Sequence, residues 1–201
     1  MDLHLFKDQK IQSHPIGLTA GYPTPMQLCV SMAFHQIAYL CAMHIIIHTD
    51  GSARGNPGPG GYGIVLQAPG QRKELSAGYR LTTNNRMELL AVIVALETLK
   101  IKGSQVTVYT DSRYVVDSVE KGWLKSWQVK NFKNKKNPDL WMRFLEIYPV
   151  HRVVFKWIKG HANHPENERC DELAVEASFG KELLIDTVYE ASQASDKGNL
   201  F

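Results

Sequence analysis

The sequence predicts an α/β fold in which an antiparallel meander runs on into strands that alternate with helices. Strand-like runs at His44–Thr49, Gly61–Leu66 and Lys73–Leu81 follow one another with only turn residues between them, and strands joined that closely pair antiparallel. From Thr82 onward helical and strand-like patterns alternate. A strand-helix-strand succession implies parallel neighbours. Of the 201 residues, 44% are apolar and 21% charged, which suits a soluble domain with a sizeable core and excludes a fibre or a disordered chain.

The first element is the run His44 to Thr49, β-branched and apolar, ending at Asp50. The text that follows, "TDGSARGNPGPGGYG", is rich in glycine and proline, yet no Lys-Ser/Thr pair opens a helix after it as a phosphate-gripping loop requires. Its glycines and prolines supply the angles of a reversal between two strands. After the third strand, Thr82-Thr83-Asn84-Asn85 offers capping side chains to an apolar helix running from Met87 to Leu99, before Gly103. Val106 to Thr110 is the fourth strand, ending at Asp111, and Ser112 opens another helix. A further helix is expected from Asp139 to Ile147, a fifth strand from Arg152 to Ile158, a His-bearing loop to Pro165, and a last helix to about Phe179. The domain therefore spans 44–180, with no internal repeat, and 181–201 is expected to be a largely loose C-terminal tail.

Residues 1–43 differ in character. Met1 to Tyr22 is patternless, and "MQLCVSMAFHQIAYLCAM" from Met26 to Met43 holds no Asp, Glu, Lys or Arg. A targeting or membrane-associating segment is one reading. Gln27, His35 and Gln36 within it, and the lack of a positive cluster before it, favour an extension outside the fold, with no stable membrane association. Cys29, Cys41 and Cys170 are far apart with no CxxC spacing, which excludes a disulfide framework or zinc ribbon and suits a reducing compartment, the cytoplasm. The net charge of +3 is modest, so any nucleic-acid argument rests on where the charge lies. From Lys121 to Lys136 there are six lysines, with Trp123, Trp127 and Phe132 among them and no acid. Such a run is either a solvated face or a nucleic-acid contact, and the interleaved aromatics favour the second.

Asp50 and Asp111 end strands with the same local text, Thr-Asp-Gly/Ser, and neighbouring strand ends in one sheet bring such carboxylates together. Glu88, in the first turns of the helix after "TTNN", and Asp171, early in the last helix after "ENERC", are placed to reach the same point. Each acid alone has a structural explanation in a turn, a helix start or an ion pair. Converging, they would repel one another, and a hard divalent cation is the usual remedy.

The stretches "TDGSARGNPGPGGYG", "TTNNRMELLA", "YTDSRYV" and "WIKGHANHPENERCDELA", in this order and spacing, resemble the type 1 ribonucleases H, and the likeness covers His44 to about Phe179. It implies a five-stranded mixed sheet with helices on both faces. It also implies an endonuclease that hydrolyses the RNA strand of RNA–DNA hybrids, leaving 3′-hydroxyl and 5′-phosphate ends, and acting as a monomer. Asp50, Glu88, Asp111 and Asp171 would correspond to the catalytic, metal-holding acids, and His161 to the family's mobile loop histidine. Two Mg²⁺ ions about 3.5–4 Å apart suit that chemistry, with Mn²⁺ possible: Asp50 would bridge them, Asp171 would hold the ion on the water side, and Glu88 with Asp111 the other.

By the same resemblance Asn84, Asn85 and the backbone of Ser52 to Gly55 would meet ribose 2′-hydroxyls, and Asn56 with Thr83 would form a pocket for a DNA phosphate. Arg113 stands where relatives often carry glutamine. Lys125, Lys130 and Lys133, with Lys135, Lys136, Trp123 and Trp127, would belong to the family's substrate-binding protrusion. A zinc reading of His161, His164 and Cys170 lacks a fourth ligand. The alternatives are a noncatalytic hybrid-binding module, which would lose an acid, and another nuclease of the same superfold, which would not carry "TTNNRMEL".

Overall fold

The computed structural model describes residues 44–160, 162 and 164–198, with side chains to 194. The expectations for the leader 1–43 and for His161 lie outside the described residues. Five strands form one sheet in the order β3-β2-β1-β4-β5: β1 His44–Ala53, β2 Gly58–Ala68, β3 Gln71–Thr82, β4 Gln105–Thr110 and β5 Arg152–Trp157. β1 pairs antiparallel with β2 and parallel with β4, β2 pairs antiparallel with β3, and β4 parallel with β5. The mixed sheet expected from the meander and the alternating half is thus the sheet observed.

The helices are α1 Asn84–Thr98, α2 Arg113–Glu120, α3 Trp123–Val129, α4 Pro138–Ile147, α5 Pro165–Ser178 and α6 Thr187–Gly198. Alternation along "GYGIVL" explains why the sheet is covered on both faces. Tyr62, Ile64 and Leu66 join Ile45, Ile47 and the buried face of α1 in the main core, which continues into α4 through Trp141 and Phe144. Val65 points the other way and packs with Cys170 and Leu173 of α5, where its neighbours Gly61 and Gly63 let the helix come close. Cys170 is wholly buried there, an apolar filler rather than a reactive thiol.

Two expectations are corrected. Asp50 does not end its strand: β1 continues to Ala53 against β2. What ends beside Asp50 is the parallel ladder to β4, whose last pair is Thr49 with Thr110. The second correction concerns the tail. Leu184 exchanges backbone hydrogen bonds with Gly78 and Arg80 at the edge of β3, and the chain then forms α6. Its sequence carries no strand or helix periodicity strong enough to read, and a buried ion pair holds it (below).

Candidate active site

Two glycines bring helices from opposite faces to Asp50. A Cβ on Gly51 would come 2.2 Å from the backbone nitrogen of Glu88, a distance no side chain tolerates, so β1 and α1 approach as only glycine allows. Gly63 is the register partner of Asp50 in β2, and a Cβ there would lie 2.0 Å from the carbonyl oxygen of Cys170. Its small size seats α5 on the sheet, with Asp171 the next residue along. Asp111 follows the last β1–β4 pair and completes the group of four acids.

Their electrostatics record this convergence. Burial raises the Asp50 carboxyl to about 8, and Asp111, Asp171 and Glu88 push in the same direction against the hydrogen bond donated by the Gly51 N–H at 2.7 Å. Burial also raises Glu88 to about 7, with Asp111 adding to it, although Asn84 and Ser112 oppose the rise by donating hydrogen bonds to the two carboxylate oxygens. Asp50, Glu88 and Asp171 form no ion pair with Lys or Arg among the described residues. No three His, Cys, Asp or Glu side chains among the described residues are already gathered so as to hold one ion. The donor set itself, carboxylate oxygens in a half-buried site, is what Mg²⁺ or Mn²⁺ takes.

Ser112 was not anticipated as more than a helix start. Its hydroxyl accepts from the Val115 N–H at 3.2 Å to cap α2 and donates to Glu88, so it joins two acid-bearing elements. Asn84 donates to Glu88 at 2.6 Å: its side chain orients an acid, besides any contact with ribose. Thr83 is the N-cap of α1 but makes no side-chain cap, contrary to expectation. Asn56 supplies an acceptor instead, taking the Asn84 N–H at 3.3 Å and so tying the glycine-proline loop to the helix. Asn56, Thr83 and Asn85 line one groove. Beyond β5, a Cβ on Gly160 would meet Asp111 Oδ2 at 2.5 Å, so the His-bearing loop starts against the acids.

Arg113 is exposed, with its guanidinium stacked 3.6 Å over the ring of Trp157, whose Nε1 donates to the Asp111 carbonyl at 2.9 Å. The lysine segment divides in two. Leu124 and Phe132 are buried and Trp127 packs edge-on against Trp141 at 5.8 Å, so Trp127 anchors the segment rather than standing free for substrate. Trp123 is 45% exposed. Lys121, Lys125, Lys130, Lys133, Lys135 and Lys136 are all exposed, and among the described residues only Lys121 of the six has a carboxylate partner, Asp117 at 2.8 Å.

Sequence reasoning missed a third charged cluster. Arg86, 3% exposed, lies between Asp186 and Asp139, with bonds of 2.6–2.7 Å to the first and 2.7–2.9 Å to the second. Burial works against the guanidinium charge, but the hydrogen bonds it donates to the two acids hold its pKa above the ordinary value. The signal was its place inside "TTNNRMEL", a charged residue at a buried position directly before the apolar run of the helix.

The RNase H family model matches residues 42–179. A ribonuclease H of Desulforamulus reducens is 59% identical over 147 residues, 71% of this chain and 92% of that protein. Among solved structures, LC9-RNase H1, described as a type 1 RNase H with the type 2 active-site motif, superposes with a TM-score of 0.62 at 33% identity over 75% of this chain and 81% of its own. LC11-RNase H1 in complex with an RNA/DNA hybrid gives 0.51 at 35% identity over 66% and 95%. With its mixed sheet, its acids and its motifs in the family's order, this chain belongs to the RNase H family of nucleases.

Proposed function

We propose that the protein hydrolyses the RNA strand of RNA–DNA hybrids by a two-metal-ion mechanism, leaving 3′-hydroxyl and 5′-phosphate ends. The observation that carries this is the convergence of Asp50, Glu88, Asp111 and Asp171, with Asp50 and Glu88 pushed far above the usual carboxylate range and no Lys or Arg paired to either among the described residues. A structural arrangement would neutralise such a group with a cation of its own. Asp50, central to the four, would contact both Mg²⁺ ions, Asp171 one, and Glu88 with Asp111 the other. When bound, the ions activate a water and stabilise the charge on the leaving 3′ oxygen.

The chain's own residues do the rest. Ser112 and Asn84 hold the Glu88 carboxylate in one orientation, and the Gly51 N–H does the same for Asp50. Asn85 and the backbone from Ser52 to Gly55 would meet 2′-hydroxyls, the group that separates RNA from DNA. The groove with Asn56 and Thr83 takes a phosphate of the DNA strand, and the exposed lysines add long-range attraction for both strands. His161 assists proton transfer or product departure. The complex of LC11-RNase H1 with a hybrid supports the choice of substrate.

The test is incubation with matched RNA–DNA hybrid, duplex DNA and duplex RNA, each with Mg²⁺ and with chelator. Mg²⁺-dependent loss of the RNA strand in the hybrid alone is expected. Binding without cleavage would mean a noncatalytic hybrid-binding module, and cleavage of duplex DNA would mean another nuclease of the superfold.

A further inference from the structure

The groove that holds Asn56 and Thr83 is larger than a phosphate needs. It is a cavity of about 600 Å³, lined by Asn56, Thr83 and Asn85 together with Lys135 and Lys136. α6 completes the lining through Val188, Tyr189, Ser192 and Gln193, and α6 lies beyond residue 179, where the family match ends.

Three contacts dock α6 on the domain. Asp186, one residue before α6, is locked to Arg86 and accepts from Thr82 Oγ1 at 3.0 Å. Arg80 holds Glu190 in a bidentate pair at 2.7–3.0 Å, and the Arg86 guanidinium lies 5.4 Å over the Tyr189 ring. The charges that line the groove also sort themselves. Arg86 is consumed by Asp139, which lines the groove with it, and by Asp186, which leaves Lys135 and Lys136 as the lining charges without an ion-pair partner among the described residues. Among the described residues the Gln193 amide has no hydrogen-bond partner. A cavity in the range of about 300–1,000 Å³ holds a ligand of nucleotide size, and this one is net positive and rich in amide donors, the chemistry of a phosphodiester backbone.

We propose that α6 is a second wall of the DNA-strand groove, with Gln193 donating to a backbone phosphate within two nucleotides of the one held by Asn56 and Thr83, in the groove that Lys135 and Lys136 also line. This rests on the hybrid-nuclease reading above. Relative to the matched domain alone, α6 lengthens the stretch of DNA strand that the protein grips.

The experiment measures affinity, in Ca²⁺ so that no cleavage intervenes, for hybrids whose DNA strand carries one neutral methylphosphonate at each position in turn. The parent should lose affinity at the linkage in the Asn56 pocket and at a further one within two nucleotides. Gln193→Glu should weaken all-phosphate hybrid by about two- to fivefold, as an exposed charge contact does, and Gln193→Lys should tighten it similarly. Both effects should vanish when the further linkage is neutral. Unchanged melting temperatures show that the two variants fold. A parent that cleaves hybrid while both variants bind every hybrid as it does overturns the role of α6 alone, as do variant effects that persist at every neutral linkage. A parent that binds hybrid without cleaving it overturns the nuclease reading, and the linkage scan still decides the groove.

Discussion

Two residues apart on α1, Arg86 and Glu88 sit in opposite electrostatic worlds. Around Arg86 the acids Asp139 and Asp186 are matched to a buried cation, every guanidinium nitrogen has an acceptor, and the cluster ties α1, α4 and the C-terminal segment together. Around Glu88 the nearby acid Asp111 adds like charge, no described cation is paired to Asp50, Glu88 or Asp171, and burial lifts Asp50 to about 8 and Glu88 to about 7. The contrast separates a cluster that serves folding from one that awaits a ligand. Breaking a buried, satisfied pair costs stability, while relieving crowded carboxylates costs activity.

The largest effect should come from Asp50→Asn, which attacks the crowded cluster at its centre. Cleavage of hybrid in Mg²⁺ should be abolished, while hybrid binding in Ca²⁺ survives and the metal-free protein melts no lower than the parent, because a buried repelling charge has been removed. Near-normal turnover would mean that the two clusters do not differ in kind.

Arg86→Met is the converse. It leaves the buried Asp186 and the part-buried Asp139 without their cation, which should cost about 3–5 kcal/mol and lower the melting temperature by on the order of 10 °C. Thermal unfolding by circular dichroism measures this, and limited proteolysis should then release the chain after Phe179. A variant as stable as its parent would show that α6 stays docked through Leu184 and Glu190 alone.

Lys125, Lys130, Lys133, Lys135 and Lys136 are the mirror case, cations without carboxylates. Neutralising all five should raise KM, leave kcat far less changed, and flatten the log–log salt dependence of hybrid binding by roughly 0.9 for each phosphate that a lysine no longer neutralises. An unchanged slope in a salt titration would make the segment a solvated face. Trp127 belongs in a separate test, since its ring packs on Trp141 and its removal would act through stability.

The smallest effect sharpens the comparison through pH. Between the unfolded values near 4 and the folded values of about 8 for Asp50 and about 7 for Glu88, the folded state holds protons that the unfolded chain has released, so metal-free stability falls as pH rises. The melting temperature should drop by at least about 3 °C from pH 5 to pH 8, the shift that roughly 1 kcal/mol produces at this size. Saturating Mg²⁺ should flatten the profile, and Asp50→Asn should flatten it without metal. A profile that rises with pH would contradict the raised carboxyls.

Much of this was legible in one dimension. Period-2 alternation and Gly/Pro punctuation marked the meander, apolar runs marked α1 and the parallel strands, and the repeated Thr-Asp text with two helix-borne acids marked the candidate site, because these signals are local and survive without coordinates. What the tertiary structure alone decided is how the local pieces meet. Gly51 reads as part of a reversal and Gly63 as a strand residue until the helices they admit are seen, and only their contacts with Glu88 and Cys170 explain why four acids converge. Asn84 and Ser112 orient an acid because α1 and α2 face each other across the sheet end. The docking of α6 was invisible for the same reason: Arg86, Asp139 and Asp186 are separated by 53 and 100 residues from the first, and a long-range ion pair leaves no periodicity in the sequence that forms it.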